Sequence, residues 1–173
     1  MLSSIVFASL NSARQKGRDA RRVSDMNEII KALHLYAADH DGQFPPPVPG
    51  PHGGWETSDV NPANFIVAIK PYMSKVSVDP VNTTNTGFNL FIPGGNYYYA
   101  YYRYDQRYAN CPDIKGPFAV IAIHEVETAG FDNKQNAMCG TPSLCSASTP
   151  GGCPSGRNWN TEFDYSVLIK EGL

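Results

Sequence analysis

The sequence is short of the features that most function classes need. It has no surplus of positive charge: 14 Lys and Arg stand against 16 Asp and Glu, for a net charge of −2. Bulk electrostatics therefore give no reason to expect a nucleic-acid partner. It has no apolar run of the ~20 residues that cross a bilayer; the apolar start, Leu2 to Leu10, falls far short. Its histidines, His34, His40, His52 and His124, have no pairing at the i, i+4 spacing of a helical metal site. There is no G-x-S-x-G, no Cys-His signature, no phosphate-binding glycine loop and no zinc motif. Asp39-His40-Asp41-Gly42 fails the EF-hand pattern, which wants its glycine at the sixth position rather than the fourth. These absences point away from an enzyme and call for no cofactor or metal.

Proline and glycine are scarce at one end only. Residues 2 to 40 contain no proline and one glycine, Gly17, whereas the 14 Pro and 15 Gly of the chain cluster after residue 42. The first quarter and the remainder thus differ in kind. The four cysteines, Cys111, Cys139, Cys145 and Cys153, lie in the C-terminal half. An even number in a Gly/Pro/Ser-rich stretch points to disulfides and an oxidising compartment. The competing zinc reading wants C-x2-4-C pairs, and the last three cysteines are spaced more widely. One bond is expected to tie Cys111 to the loop that holds the other three, and the second to close that loop on itself, with the connectivity open.

In the first quarter, Val23, Met26, Ile30, Leu33 and Ala37, joined by Ile29 and Tyr36, recur at helical spacing. The preceding segment, Leu2 to Leu10, is apolar on most sides. One long helix is predicted, apolar all round at its start and amphipathic further on, capped near Gly42 and stopped by Pro45-Pro46-Pro47. Residues 43 to 62 read as loop and Asn64 to Met73 as a short helix limited by Pro71. Strands are predicted at Asn96 to Tyr104, Phe118 to Glu125 and Phe163 to Lys170, with a long loop over about residues 129 to 161. The expected class is α+β: a long N-terminal helix packed on a small antiparallel sheet, with a long cysteine-containing C-terminal loop. The division is 1–42 for the helix and 43–173 for a globular head. The start of the helix has nothing in this chain to cover it, so it needs a membrane or other subunits.

Leu2 through Arg14 resembles the second half of the N-terminal helix of bacterial type IV pilins and type II secretion pseudopilins. Lys16-Gly17-Arg18-Asp19-Ala20-Arg21-Arg22 is similar to its polar continuation. Asp25 to Leu33 and Tyr36-Ala37-Ala38-Asp39 resemble its amphipathic stretch, and Asp41-Gly42-Gln43-Phe44-Pro45 its D-x-G-x-Y/F-P ending. Pro71 to Val76, Asp79-Pro80 and Tyr97-Tyr98-Tyr99 are similar to the major-pseudopilin-like branch. The family's Phe…Glu start and prepilin-peptidase site are not in this sequence, so Met1 is expected not to be the biological start. The resemblance implies a structural subunit of a pilus, or of a type II secretion pseudopilus. Such a subunit sits in the inner membrane before assembly and in an extracellular or periplasmic filament of identical subunits afterwards. It would be served by a prepilin peptidase, an assembly ATPase and a platform protein. The alternative is a minor pilin or adhesin-like surface module that recognises a glycan or surface ligand.

On this reading, Leu2, Ile5, Val6, Leu10, Ala13 and Gly17 form the filament or membrane helix. Ser9, Ala13, Gly17, Ala20 and Ser24 make a small-residue stripe of the sort that lets helix backbones approach closely. Arg14, Lys16, Arg18, Arg21 and Arg22 form a basic segment for headgroups or for acids on adjacent subunits. The bland account of that segment is a solvated face partly neutralised by Asp19, Asp25 and Glu28, for instance Arg21 with Asp25 one turn on. Tyr97, Tyr98, Tyr99, Tyr101, Tyr102 and Tyr104 could stack a ligand but more simply alternate between a core and a half-buried face; Arg103 favours exposure of the odd-numbered set at its end.

Overall fold

A stretch without proline and with an apolar stripe at helical spacing folds as one helix. In a computed structural model of the chain, α1 runs Leu2–Ala38, 37 residues. The structure describes residues 2–48, 54–60, 62–83, 95–104, 114, 116–129, 131, 138–140 and 156–171, the side chains of 2–5, 138–140, 156–157 and 161 excepted. The helix ends as a Schellman turn. The Gly42 N–H donates to the Ala37 carbonyl at 2.8 Å. The left-handed position falls on Asp41 (φ 53°) as well as on Gly42 (φ 77°), so the cap is an Asp-Gly pair rather than the glycine alone.

The strands are β1 (Glu56–Thr57), β2 (Tyr99–Tyr104), β3 (Phe118–Ile123), β4 (Met138–Gly140), β5 (Gly156–Asn158) and β6 (Tyr165–Lys170). Among the described residues they form an antiparallel sheet in the order β1-β2-β3-β6 and a separate β4-β5 pair. The expected α+β arrangement of a long N-terminal helix with an antiparallel sheet is present. The three predicted strands occur with trimmed ends. β1 lies in the stretch read as loop, and β4 and β5 lie in the region read as one long loop; all three are too short to carry an alternation signal. The predicted helix at Asn64 to Met73 is a 3-10 helix, Val67–Tyr72, with Pro71 inside it. Cys111, Cys145 and Cys153 lie outside the described residues, and of Cys139 only the backbone, in β4, is described; the expected disulfides therefore fall outside them too.

The pleat divides two cores. Tyr99 and Tyr101 of β2, Ala119, Ile121 and Ile123 of β3, and Tyr165 and Ile169 of β6 meet Met26, Ile29, Ala32, Leu33 and Ala37 of α1. On the other face Tyr98, Ala100, Tyr104, Phe118, Val120 and Ala122 pack with Trp55, Trp159 and Phe163. Central β3 is buried at every residue, which explains why it reads as an unbroken apolar run rather than an alternating one. The Tyr101 hydroxyl donates to the Pro45 carbonyl at 2.6 Å, which ties the proline run after the helix to the sheet.

Candidate assembly surface

The first turns of α1 stand clear of the head. Residues 6–14 are all exposed, including Val6 (62%), Phe7 (66%) and Leu10 (45%). Ala13 lies in this exposed stretch. A Cβ built on Gly17 meets nothing within 4 Å, so that position of the small-residue stripe is open on the monomer. Leu2 and Ile5 lie in the helix, with side chains outside the described part. Residues 2–18 make an arm of about 25 Å at 1.5 Å per residue. No helix among the described residues is long and apolar enough to cross a membrane.

The arm is joined to the head by charge. Arg22 is 0% exposed. Its Nε and Nη2 donate to the two carboxylate oxygens of Asp79 at 2.7 and 3.0 Å, and its Nη1 to Asp19 at 2.6 Å and to Glu127 at 2.9 Å. Arg18 adds a second fork onto Glu127, with its Nε at 2.7 Å. Asp19 in turn accepts the backbone N–H groups of Glu127 (3.0 Å) and Thr128 (2.9 Å), and Asp79 those of Val81 (2.8 Å) and Asn82 (3.2 Å). The Tyr97 ring lies 5.1 Å from the Arg22 guanidinium. Burial works to lower the Arg22 pKa, but the hydrogen bonds and charges of Asp79, Glu127 and Asp19 outweigh it and hold the guanidinium firmly protonated. The Arg18 hydrogen bond, aided by Arg22 against burial, holds Glu127 below the usual carboxylate range. Three segments distant in sequence, α1, the turn at Asp79 and the loop after β3, thus converge on one guanidinium where the arm leaves the head.

The five basic residues grouped by the sequence therefore divide. Arg18 and Arg22 are structural. Arg21 is 60% exposed and 3.6 Å from Asp25. Arg14 and Lys16 are exposed and have no ion pair among the described residues. Asp79 and Glu127 were not singled out as partners of this segment. Lying 57 and 105 residues from Arg22, they carry no local signal that could have found them. Four of the six tyrosines are core, with Tyr98, Tyr99 and Tyr101 at most 2% exposed and Tyr104 also buried, while Tyr97 and Tyr102 are half-buried. The exposure expected of the odd-numbered set near Arg103 is not met, because Tyr99 and Tyr101 point at α1 and Arg103 folds back onto Glu171. Among the described residues no group of His, Cys, Asp or Glu is placed to hold a metal ion.

Comparison with models of known protein families, with curated proteins and with solved structures finds no match to this chain.

Proposed function

We propose that the chain is a structural subunit of a type IV pilus or pseudopilus filament, assembling through its N-terminal helix. The observation that carries the reading is the arm: Val6, Phe7 and Leu10 exposed on a helix whose later turns are already matched to the sheet. Such a surface is costly in water and finds cover in lipid or in copies of itself. The reading also draws support from the resemblance of the helix and its Asp-Gly-Gln-Phe-Pro ending to pilins, and from the α+β order. On this view the protein works by assembly and breaks no bond. The helix rests in the inner membrane and then passes laterally into a bundle of identical helices, a transfer between two apolar surroundings. The peptidase, the ATPase and the platform protein that the resemblance implies would act before and during that transfer.

Gly17→Leu tests this. A leucine there holds neighbouring backbones apart, while a Cβ at that position meets no other part of the monomer within 4 Å. The expected outcome is a head that melts as the parent does, with loss of filaments by negative-stain microscopy. Unchanged filament number, or a lowered melting temperature, would show that the arm is not used in this way.

A further inference from the structure

The rings of β2 are mostly turned into the protein, but another ring pair stands outside the core at the end of α1. Tyr36 and His40 are about one helical turn apart, and their rings stack at 3.7 Å, 6° from parallel. The His40 Nδ1 lies 2.7 Å from the Tyr36 carbonyl oxygen. A carbonyl only accepts, so Nδ1 carries the proton and Nε2 is left with no polar partner among the described residues. The His40 side chain is exposed; Tyr36 covers one face of the imidazole and the other face is open.

These rings wall a cleft of about 560 Å³, which Asp41, Gln43 and Phe44 also line. That is a usual size for a small-ligand site. The backbone around it is fixed by hydrogen bonds. The His40 N–H donates to the Ala37 carbonyl at 3.1 Å and the Gln43 N–H to the His40 carbonyl at 2.9 Å. The Phe44 N–H donates to the Glu171 carboxylate at 2.8 Å, and Arg103, which also lines the cleft, is held on that same carboxylate. A ligand would meet walls already in place, which lowers the cost of ordering them.

The polar groups of the cleft are largely uncommitted. Asp39 accepts from the Tyr72 hydroxyl with one oxygen and keeps the other open. The Asp41 carboxylate, the Gln43 amide and the Tyr36 hydroxyl have no polar partner among the described residues. The set is mixed: the carboxylates and Nε2 accept, while the amide and the hydroxyl can both donate and accept. An anion would be repelled by the two carboxylates. A simple cation would answer the carboxylates and leave the amide and hydroxyl donors unmatched. An apolar ligand would strip water from all of these groups without replacing it. A sugar ring answers the whole set, with hydroxyls that donate and accept around its rim and a C–H face that can lie on an aromatic ring.

We propose that this cleft binds an uncharged sugar, with the sugar ring lying on the open face of His40 and its hydroxyls met by Asp39, Asp41, Gln43 and the Tyr36 hydroxyl. The site lies on the head and does not depend on how the arm is used.

The test is backbone amide NMR of the full chain, held in polyoxyethylene micelles because a sugar-headed detergent would compete. The probes are lactose, maltotriose and chitotriose, with trigalacturonate as the acidic counterpart. At least one neutral sugar should bind with a Kd of about 1 mM or below, with its shifts gathered on residues 36–46. His40→Ala removes the platform, and Asp41→Asn removes a charge while keeping a residue tolerant of the left-handed turn. Each should weaken that binding by about tenfold, as for the loss of one well-placed contact, and each should melt as the parent does. Trigalacturonate should bind at least tenfold more weakly than the best neutral probe, by about the same measure. No response to any of the three neutral sugars up to tens of millimolar overturns the proposal. So does binding that the two variants leave unchanged, since the sugar would then sit elsewhere. Spermidine moving the same amides when the sugars do not would make the cleft a cation site, and trigalacturonate binding as well as the neutral probes would mean that the carboxylates do not face the ligand; either result also overturns it.

Discussion

Replacing Arg22 by methionine removes the charge and keeps most of the side-chain volume. Four hydrogen bonds disappear, two of them a bidentate fork onto Asp79. Asp79 is fully buried and the Asp19 side chain 2% exposed, so neither carboxylate regains water in the folded state. Breaking a buried pair from one side costs about 3–5 kcal/mol, because the remaining charge is left uncompensated. Each of these carboxylates keeps two backbone N–H donors, which places Arg22→Met toward the lower end, at about 3 kcal/mol by the same measure. With a urea slope of about 2 kcal/mol per molar, typical of small domains, the midpoint should fall by about 1.5 M. Arg21 supplies the control one residue away. It is 60% exposed, with its acid at 3.6 Å, and Arg21→Met should cost less than about 0.5 kcal/mol. Urea unfolding followed by circular dichroism gives both numbers, and the double variant Arg22→Met/Asp79→Asn should recover part of the loss. If Arg22→Met and Arg21→Met cost the same, the cluster is solvated and the coupling of arm to head does not run through Arg22.

Two further outcomes follow from single contacts. Glu127 is held below its ordinary value of 4.5 by the Arg18 hydrogen bond, with help from Arg22. A carboxylate whose folded pKa is depressed contributes stability that is full above the unfolded value and lost as pH falls through the folded one. Glu127→Gln should therefore destabilise the protein at pH 7, and the gap to the parent should close in urea titrations repeated well below pH 4.5; a gap unchanged at low pH would remove the ion pairs as its cause. Tyr101→Phe deletes the buried donor to the Pro45 carbonyl and should cost about 1–2 kcal/mol in a melting experiment, whereas a neutral result would mean that the proline run is held by other contacts.

Much of the architecture can be read from the chain because its signals are local. The stripe of Met26, Ile29, Leu33 and Ala37 has the period of a helix. The run Phe118-Ala119-Val120-Ile121-Ala122-Ile123 is short, apolar and rich in strand formers. The Asp41-Gly42 turn and the prolines after it mark where the helix stops. The exposed arm is legible for the same reason, since Val6, Phe7 and Leu10 have no matching apolar stripe in sequence to continue the buried face. Other features are set only by tertiary structure. Sequence treats Arg18, Arg21 and Arg22 as equivalent members of a basic segment. Chain closure over 57 and 105 residues brings Asp79 and Glu127 to Arg22, and the helix phase turns Arg21 outward. The sequence of β2 suits either a ligand platform or a core, and it is α1 lying across Tyr99 and Tyr101 that makes those two rings core. Periodicity says that a side chain has a face. Which charge or ring meets that face depends on contacts between residues far apart in the chain, and it is the fold, through the entropy and geometry of closing those loops, that chooses them.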